Sequence, residues 1–191
     1  AGSTSLGSSE NVFIGYQVAS GTWTDAACNH NVGIGNDVMR GALDGATQNV
    51  AVGSEALMSL TTGDGNVALG YKALEDVTTG GSNVAIGNSS GISLTSGTDN
   101  IAIGTTCLYN STDVDKAIFI GKEAGNGALD SDADGIIGIG YQALTSNTSG
   151  QKNIAIGYQA LDAVVTGDHN TAIGYQALSA QQSDRSGATA V

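Results

Sequence analysis

The nine residues Asn153-Ile154-Ala155-Ile156-Gly157-Tyr158-Gln159-Ala160-Leu161 return almost unchanged as Asn170 to Leu178, 17 positions further on. The same phrase stands at Asn66 to Leu74, and Asn49, Asn83 and Asn100 open weaker copies at the same interval. A fixed short period restricts this chain more than any motif inside it. Each repeat is one supersecondary unit that cannot bury its own apolar face, so it must stack on its neighbours as a solenoid or array.

Ten openings can be placed, at Asn11, Asn31, Asn49, Asn66, Asn83, Asn100, Ala117, Ile136, Asn153 and Asn170. Residues 1–10 read as the end of a preceding coil, 11–187 as the repeat domain and 188–191 as the start of a following coil, so the chain is expected to be cut from a longer one or to stack end to end. Three coils exceed the period: three extra residues around Trp23 to His30, one in the coil from Asn31, and two around Asp130 to Asp134. Such insertions are expected to bulge from one face. Within a coil, β-branched residues alternate with a small one, as in Val67-Ala68-Leu69 or Ile154-Ala155-Ile156. That alternation is a strand with one face in a core, and the apolar pair is expected on that face. Gly70, Gly157 and Gly174 then turn the corner. A second inward pair follows at Leu74 and Val77, or Leu161 and Val164, and Thr-Gly or Ser-Gly turns such as Thr79-Gly80 close the coil. The reading is an all-β parallel β-solenoid of about ten coils, two short strands per coil and almost no helix. Stacking at about 4.8 Å gives a rod on the order of 50 Å long. The recurring Asn side chains are expected to form an amide ladder, and Tyr16, Tyr71, Tyr141, Tyr158 and Tyr175 to line one edge.

Composition agrees. Proline, which would delete ladder hydrogen bonds, is absent, and 29 glycines supply the corners. A net charge of -12 argues against a nucleic-acid partner, which needs a basic surface, and against anionic membranes. It also discourages sideways association of strand edges. No apolar run is long enough to insert in a membrane as a helix, and no signal peptide or lipidation motif is present.

The Asn-Val-Ala-Ile-Gly phrase resembles the head repeats of trimeric autotransporter adhesins of the YadA type. The longer Asn-Thr-Ala-Ile-Gly-Tyr-Gln-Ala-Leu form at Asn170 to Leu178, with its Thr-Thr-Gly turns, is more similar to repeats of bacteriophage tail-fibre proteins. The resemblance covers nearly the whole chain from Asn11. It implies a β-solenoid commonly wound left-handed, a homotrimer, and a rigid extracellular shaft or head, on a virion tail fibre or a cell surface, that presents a receptor-binding surface to a glycan or protein. The heptad stalk, membrane anchor and self-cleaving domain found with such repeats do not occur in this sequence. The resemblance makes a non-enzymatic fibre segment the expectation. A filament subunit stacking head to tail is the first rival, and a polysaccharide-acting enzyme, for which no carboxylate pair stands out, is the second. An ice-binding solenoid, a third, would want a flat threonine array.

Candidate sites are few. Asp130, Asp132 and Asp134, followed by Gly135, match the first half of a calcium loop, but Tyr141 stands where the bidentate carboxylate belongs. Asp113 or Asp115 of the preceding coil would have to complete it. The plainer alternative is a solvated acidic bulge, and no cofactor is required. Trp23, the lone Trp, is the candidate receptor or partner contact, against the alternative of capping the solenoid end or filling a packing gap. Gly138 to Ala143 fits a dinucleotide fingerprint and Gly87 to Gly91 a nucleophile elbow, yet both need a following helix where this repeat puts a corner. Cys107 takes the small-residue slot of Ala73 and Ala160, so buried thiols are expected rather than a Cys28–Cys107 disulfide. His30 and His169 read as surface turn residues. Asn88, Asn110 and Asn147 head N-glycosylation sequons.

Overall fold

The computed structural model describes residues 8–23, 27–180 and 184–191, so residues 1–7 of the expected leading coil and part of the first insertion lie outside the described residues. Among the described residues there is no α-helix. Eleven strands follow one another: β1 (Val12–Tyr16), β2 (Val32–Asn36), β3 (Val50–Val52), β4 (Val67–Leu69), β5 (Val84–Ile86), β6 (Ile101–Ile103), β7 (Ile118–Ile120), β8 (Ile137–Ile139), β9 (Ile154–Ile156), β10 (Thr171–Ile173) and β11 (Thr189–Ala190). They form one parallel sheet in chain order, each strand paired with the next turn of the same coil. The chain is an all-β solenoid of about ten turns. Over most of the sheet like sits on like, with Val67, Ala68 and Leu69 opposite Val84, Ala85 and Ile86.

The long coils do not disturb this register. Val12 still pairs with Val32, Val32 with Val50, and Ile118 with Ile137. The extra residues are absorbed on the turn side, away from the strands.

Two expectations are corrected. First, each coil has one strand, not two. The stretch after the corner cannot run extended because two of its residues, two apart, are left-handed: φ is 56° at Lys72 and 52° at Leu74, and 51° at Gln159 and 53° at Leu161. Left-handed backbone coils back on itself, which turns the leucine inward, and coil-to-coil bonding continues all the same. The Leu74 N–H donates to Ser90 O at 3.0 Å and the Leu161 N–H to Ala177 O at 3.0 Å.

Second, the strand is inside out relative to expectation. Ala68, Ala85 and Ala155 are wholly buried, while the flanking Val and Ile side chains face outward and stay partly exposed. The interior behind the strand is narrow, because the inward Leu74, Val77 and their equivalents already fill it from the other side. Phe119 demonstrates how narrow. Where it replaces the alanine, the neighbouring strand carries Gly138 and the turn carries Gly125, and a Cβ at either would lie 2.5 Å from the Phe119 ring.

The asparagine ladder forms as expected. The Asn66 N–H and one Nδ2–H both donate to Asn49 Oδ1 (2.9 and 3.1 Å), and the other Nδ2–H donates to Gly80 O (2.9 Å). Burial without such partners would cost about 1–3 kcal/mol per group. The ladder runs from Asn11 to Asn100, ends by accepting the Ala117 N–H, and resumes from Asn153 to Asn170.

Candidate interaction face and sites

The outward residues of the strands build two parallel apolar ridges. One is Val12, Val32, Val50 and their successors, the other Ile14, Ile34, Val52 and theirs. Over β1 to β10 every member is Val, Ile or Leu except Thr171. Exposure is 36–40% at Ile34, Val52, Ile86, Ile120, Ile156 and Ile173, and 58% at Ile14. No charged residue interrupts either ridge in a chain of net charge -12. A contiguous exposed apolar strip on a polar surface is the usual candidate for an interaction site. Sequence reasoning missed it, since it assigned these side chains to the core.

Beyond the corner glycines lies a polar and aromatic border. The tyrosines share one register, as expected. Tyr141 stacks on Tyr158 with ring centroids 5.2 Å apart, and Tyr158 on Tyr175 at 5.1 Å. Beside them runs an unexpected glutamine ladder. Gln176 Nε2 donates to Gln159 Oε1 (3.0 Å), Gln159 Nε2 to Gln142 Oε1 (2.8 Å), and Gln142 Nε2 to Glu123 Oε2 (2.7 Å). The repeated Tyr-Gln dipeptide was the signal for it. The Gln142 bond, then Lys122, hold the Glu123 carboxyl below the usual carboxylate range. In the neighbouring half, Lys72 Nζ lies 3.0 Å from Glu75 and 3.1 Å from Glu55, and those two carboxylates hold its ammonium protonated well above the ordinary range.

Two aspartates of the third insertion accept from separate backbone donors. Asp130 Oδ1 accepts the Asp132 N–H (3.0 Å), and Asp134 Oδ1 accepts the Asp115 N–H of the preceding coil (3.0 Å). The structure brings Asp134 to Asp115, but no three His, Cys, Asp or Glu side chains converge as a metal-holding group among the described residues. Asp115 itself caps Thr98, accepting both its N–H and its hydroxyl (2.6 and 3.0 Å), and Asp64 does the same for Thr47. Carboxylates just before an opening therefore act as pins between coils.

Trp23 is half-buried against the core. Its indole N–H donates to Ala19 O (3.0 Å), and its ring meets Phe13 edge to face at 6.0 Å. These contacts serve the gap-filling alternative. Cys28 and Cys107 are both buried, and no disulfide joins them. Burial pushes the Cys107 thiol up to about 12, and it donates to Phe119 O. His30 and His169 sit in left-handed turns, His30 paired with Glu10. The segments Gly138 to Ala143 and Gly87 to Gly91 run from strand or corner into turns, with no helix after either. Of the sequon asparagines, Asn88 and Asn110 are exposed, whereas Asn147 is wholly buried in the core slot used by Val77 and Val164. The folded chain offers no access to it. Burial raises the Asp162 carboxyl above the usual range. No described helix is long and apolar enough to cross a membrane. No protein-family model, no curated protein and no solved structure matches the chain.

Proposed function

We propose that this chain is a rigid, non-enzymatic segment of an extracellular fibre, of the kind carried by a phage tail or a bacterial surface, and that it works as a homotrimer. The observation that carries the reading is the uncharged double ridge of outward Val and Ile along the whole solenoid. A strip that long, on a surface otherwise dominated by acidic and polar residues, needs a partner that matches it coil for coil. Another copy of the same chain has the same repeat and length. The interior supports a mechanical role, since the coils are tied by parallel strands, inter-coil turns and the amide ladder. No residue is asked to do chemistry, and receptor contact with a surface glycan or protein falls to the borders outside the ridge.

The test is the solution mass by light scattering, with electron micrographs of the same sample. A discrete particle of about three chains is expected. Ile86→Lys places a charge at the middle of the ridge on a side chain already 37% exposed, so the coil stays folded and the particle falls apart to single chains. Single chains from the unaltered protein at all concentrations would overturn the reading. Concentration-dependent growth into rods would replace the trimer with a head-to-tail filament.

A further inference from the structure

The fifth residue after each opening projects sideways from the corner. Along most of the solenoid this register holds unlike residues in successive coils, but the last three consecutive coils hold Tyr141, Tyr158 and Tyr175. Their rings lie nearly parallel, at 21° and 12°, with centroids 5.2 and 5.1 Å apart. The backbone beneath them is fixed by hydrogen bonds between coils, and the glutamine ladder bonds the adjacent side chains. All three rings remain exposed, by 36%, 41% and 74%.

Mutual stacking covers both faces of the central Tyr158 and one face each of Tyr141 and Tyr175. The partial exposure of all three side chains leaves the stack within reach of a soluble oxidant. We propose that this stack is an oxidative modification site, at which neighbouring coils become joined by a dityrosine bond. Hydrogen peroxide, turned over by a haem peroxidase, removes one electron and one proton from each of two neighbouring phenols and is itself reduced to two waters. The two phenoxyl radicals pair in one carbon–carbon bond between ortho positions. Each ortho carbon then gives up its proton and each oxygen regains one, so the chain loses two hydrogens in all.

Tyr16 and Tyr71 provide an internal contrast. They occupy the same register and are 67% and 46% exposed, but the positions next to them in the stack are Asn36, and Ser54 and Asn88. Neither has a neighbouring ring to couple with.

The experiment treats a mixture of isotope-labelled and unlabelled chain with peroxide and a haem peroxidase. Dityrosine fluorescence is followed, and cross-linked peptides are identified by mass. The expected products join Tyr158 to Tyr141 or to Tyr175 within one chain, each lighter by two hydrogens. Tyr158→Phe, an exposed and nearly isosteric change, brings intrachain dityrosine to background, because Tyr141 and Tyr175 stand two coils apart. Tyr71→Phe leaves the yield unchanged. Asn88→Tyr gives Tyr71 a ring neighbour and creates a new intrachain cross-link there. The proposal is overturned if Tyr158→Phe leaves intrachain dityrosine intact, if Tyr16 and Tyr71 are the main sites, or if labelled-to-unlabelled cross-links reach the share that random pairing between chains gives.

Discussion

The corner glycine is the least replaceable residue of the repeat. At Gly157 φ is 140°, and a Cβ there would sit 2.1 Å from Gly174 O. The obstacle is the backbone of the next coil, which cannot step aside without breaking the Gly174 N–H to Ile156 O bond of 2.8 Å. Gly157→Ala is therefore expected to cost roughly 3 kcal/mol or more, read as a fall in the denaturation midpoint of the purified chain. A loss below about 1 kcal/mol would mean that neighbouring coils can slide apart at the corner. The left-handed leucines behave differently. Placing Leu161 at φ 53° costs about 1–2 kcal/mol, and burying its side chain returns roughly 1.5–3 kcal/mol. Backbone strain and core packing are thus opposed at the same residue, and packing wins.

At the level of the coil, Phe119 and Gly138 are one unit divided between β7 and β8. Phe119→Ala empties the slot and is expected to cost about 3–5 kcal/mol, while Gly138→Ala alone drives a methyl into the ring. Together the two changes restore the Ala-over-Ala column seen at Ala68 and Ala85. The double variant should therefore be more stable than the sum of the single losses by more than about 1 kcal/mol in an unfolding cycle. Additive losses would show that the glycine is not there for the ring. The same pair recurs as Phe13 and Gly33, where a Cβ would meet the Phe13 ring at 3.0 Å. The period, the amide ladder and the tyrosine register were legible in the sequence because each depends only on spacing. The sidedness of the strand was not. Alternation of Val with Ala shows that the two faces differ, but both residues are apolar, and only the width of the interior decides which turns inward. Nor could spacing reveal the single strand per coil, because nothing in Gln159 or Leu161 announces a left-handed backbone; glycine at the equivalent Gly91 and Gly125 was the available hint. The calcium pattern was legible as a string, yet the Asp130 and Asp134 carboxylates each accept a separate backbone N–H.

The whole molecule combines an apolar strip with a surplus of negative charge. In the proposed homotrimer, copies meeting along the strip would repel one another through their acids, so salt should assist association. Raising ionic strength from about 0.01 M to 0.15 M shortens the screening length from about 30 Å to 8 Å. The concentration for half-assembly, measured by light scattering, is expected to fall over that range; a rise would point to ion pairs rather than the Val and Ile ridges as the joining surface. Each coil bonds only to the one before and the one after, and stretches such as Asn153 to Leu161 and Asn170 to Leu178 are nearly interchangeable. Reach is therefore a countable quantity. Unequal exchange between two such stretches in the coding sequence would remove or add a whole coil, changing the rod by about 4.8 Å while leaving every surviving contact in register. A lineage could tune the length of this solenoid one notch at a time.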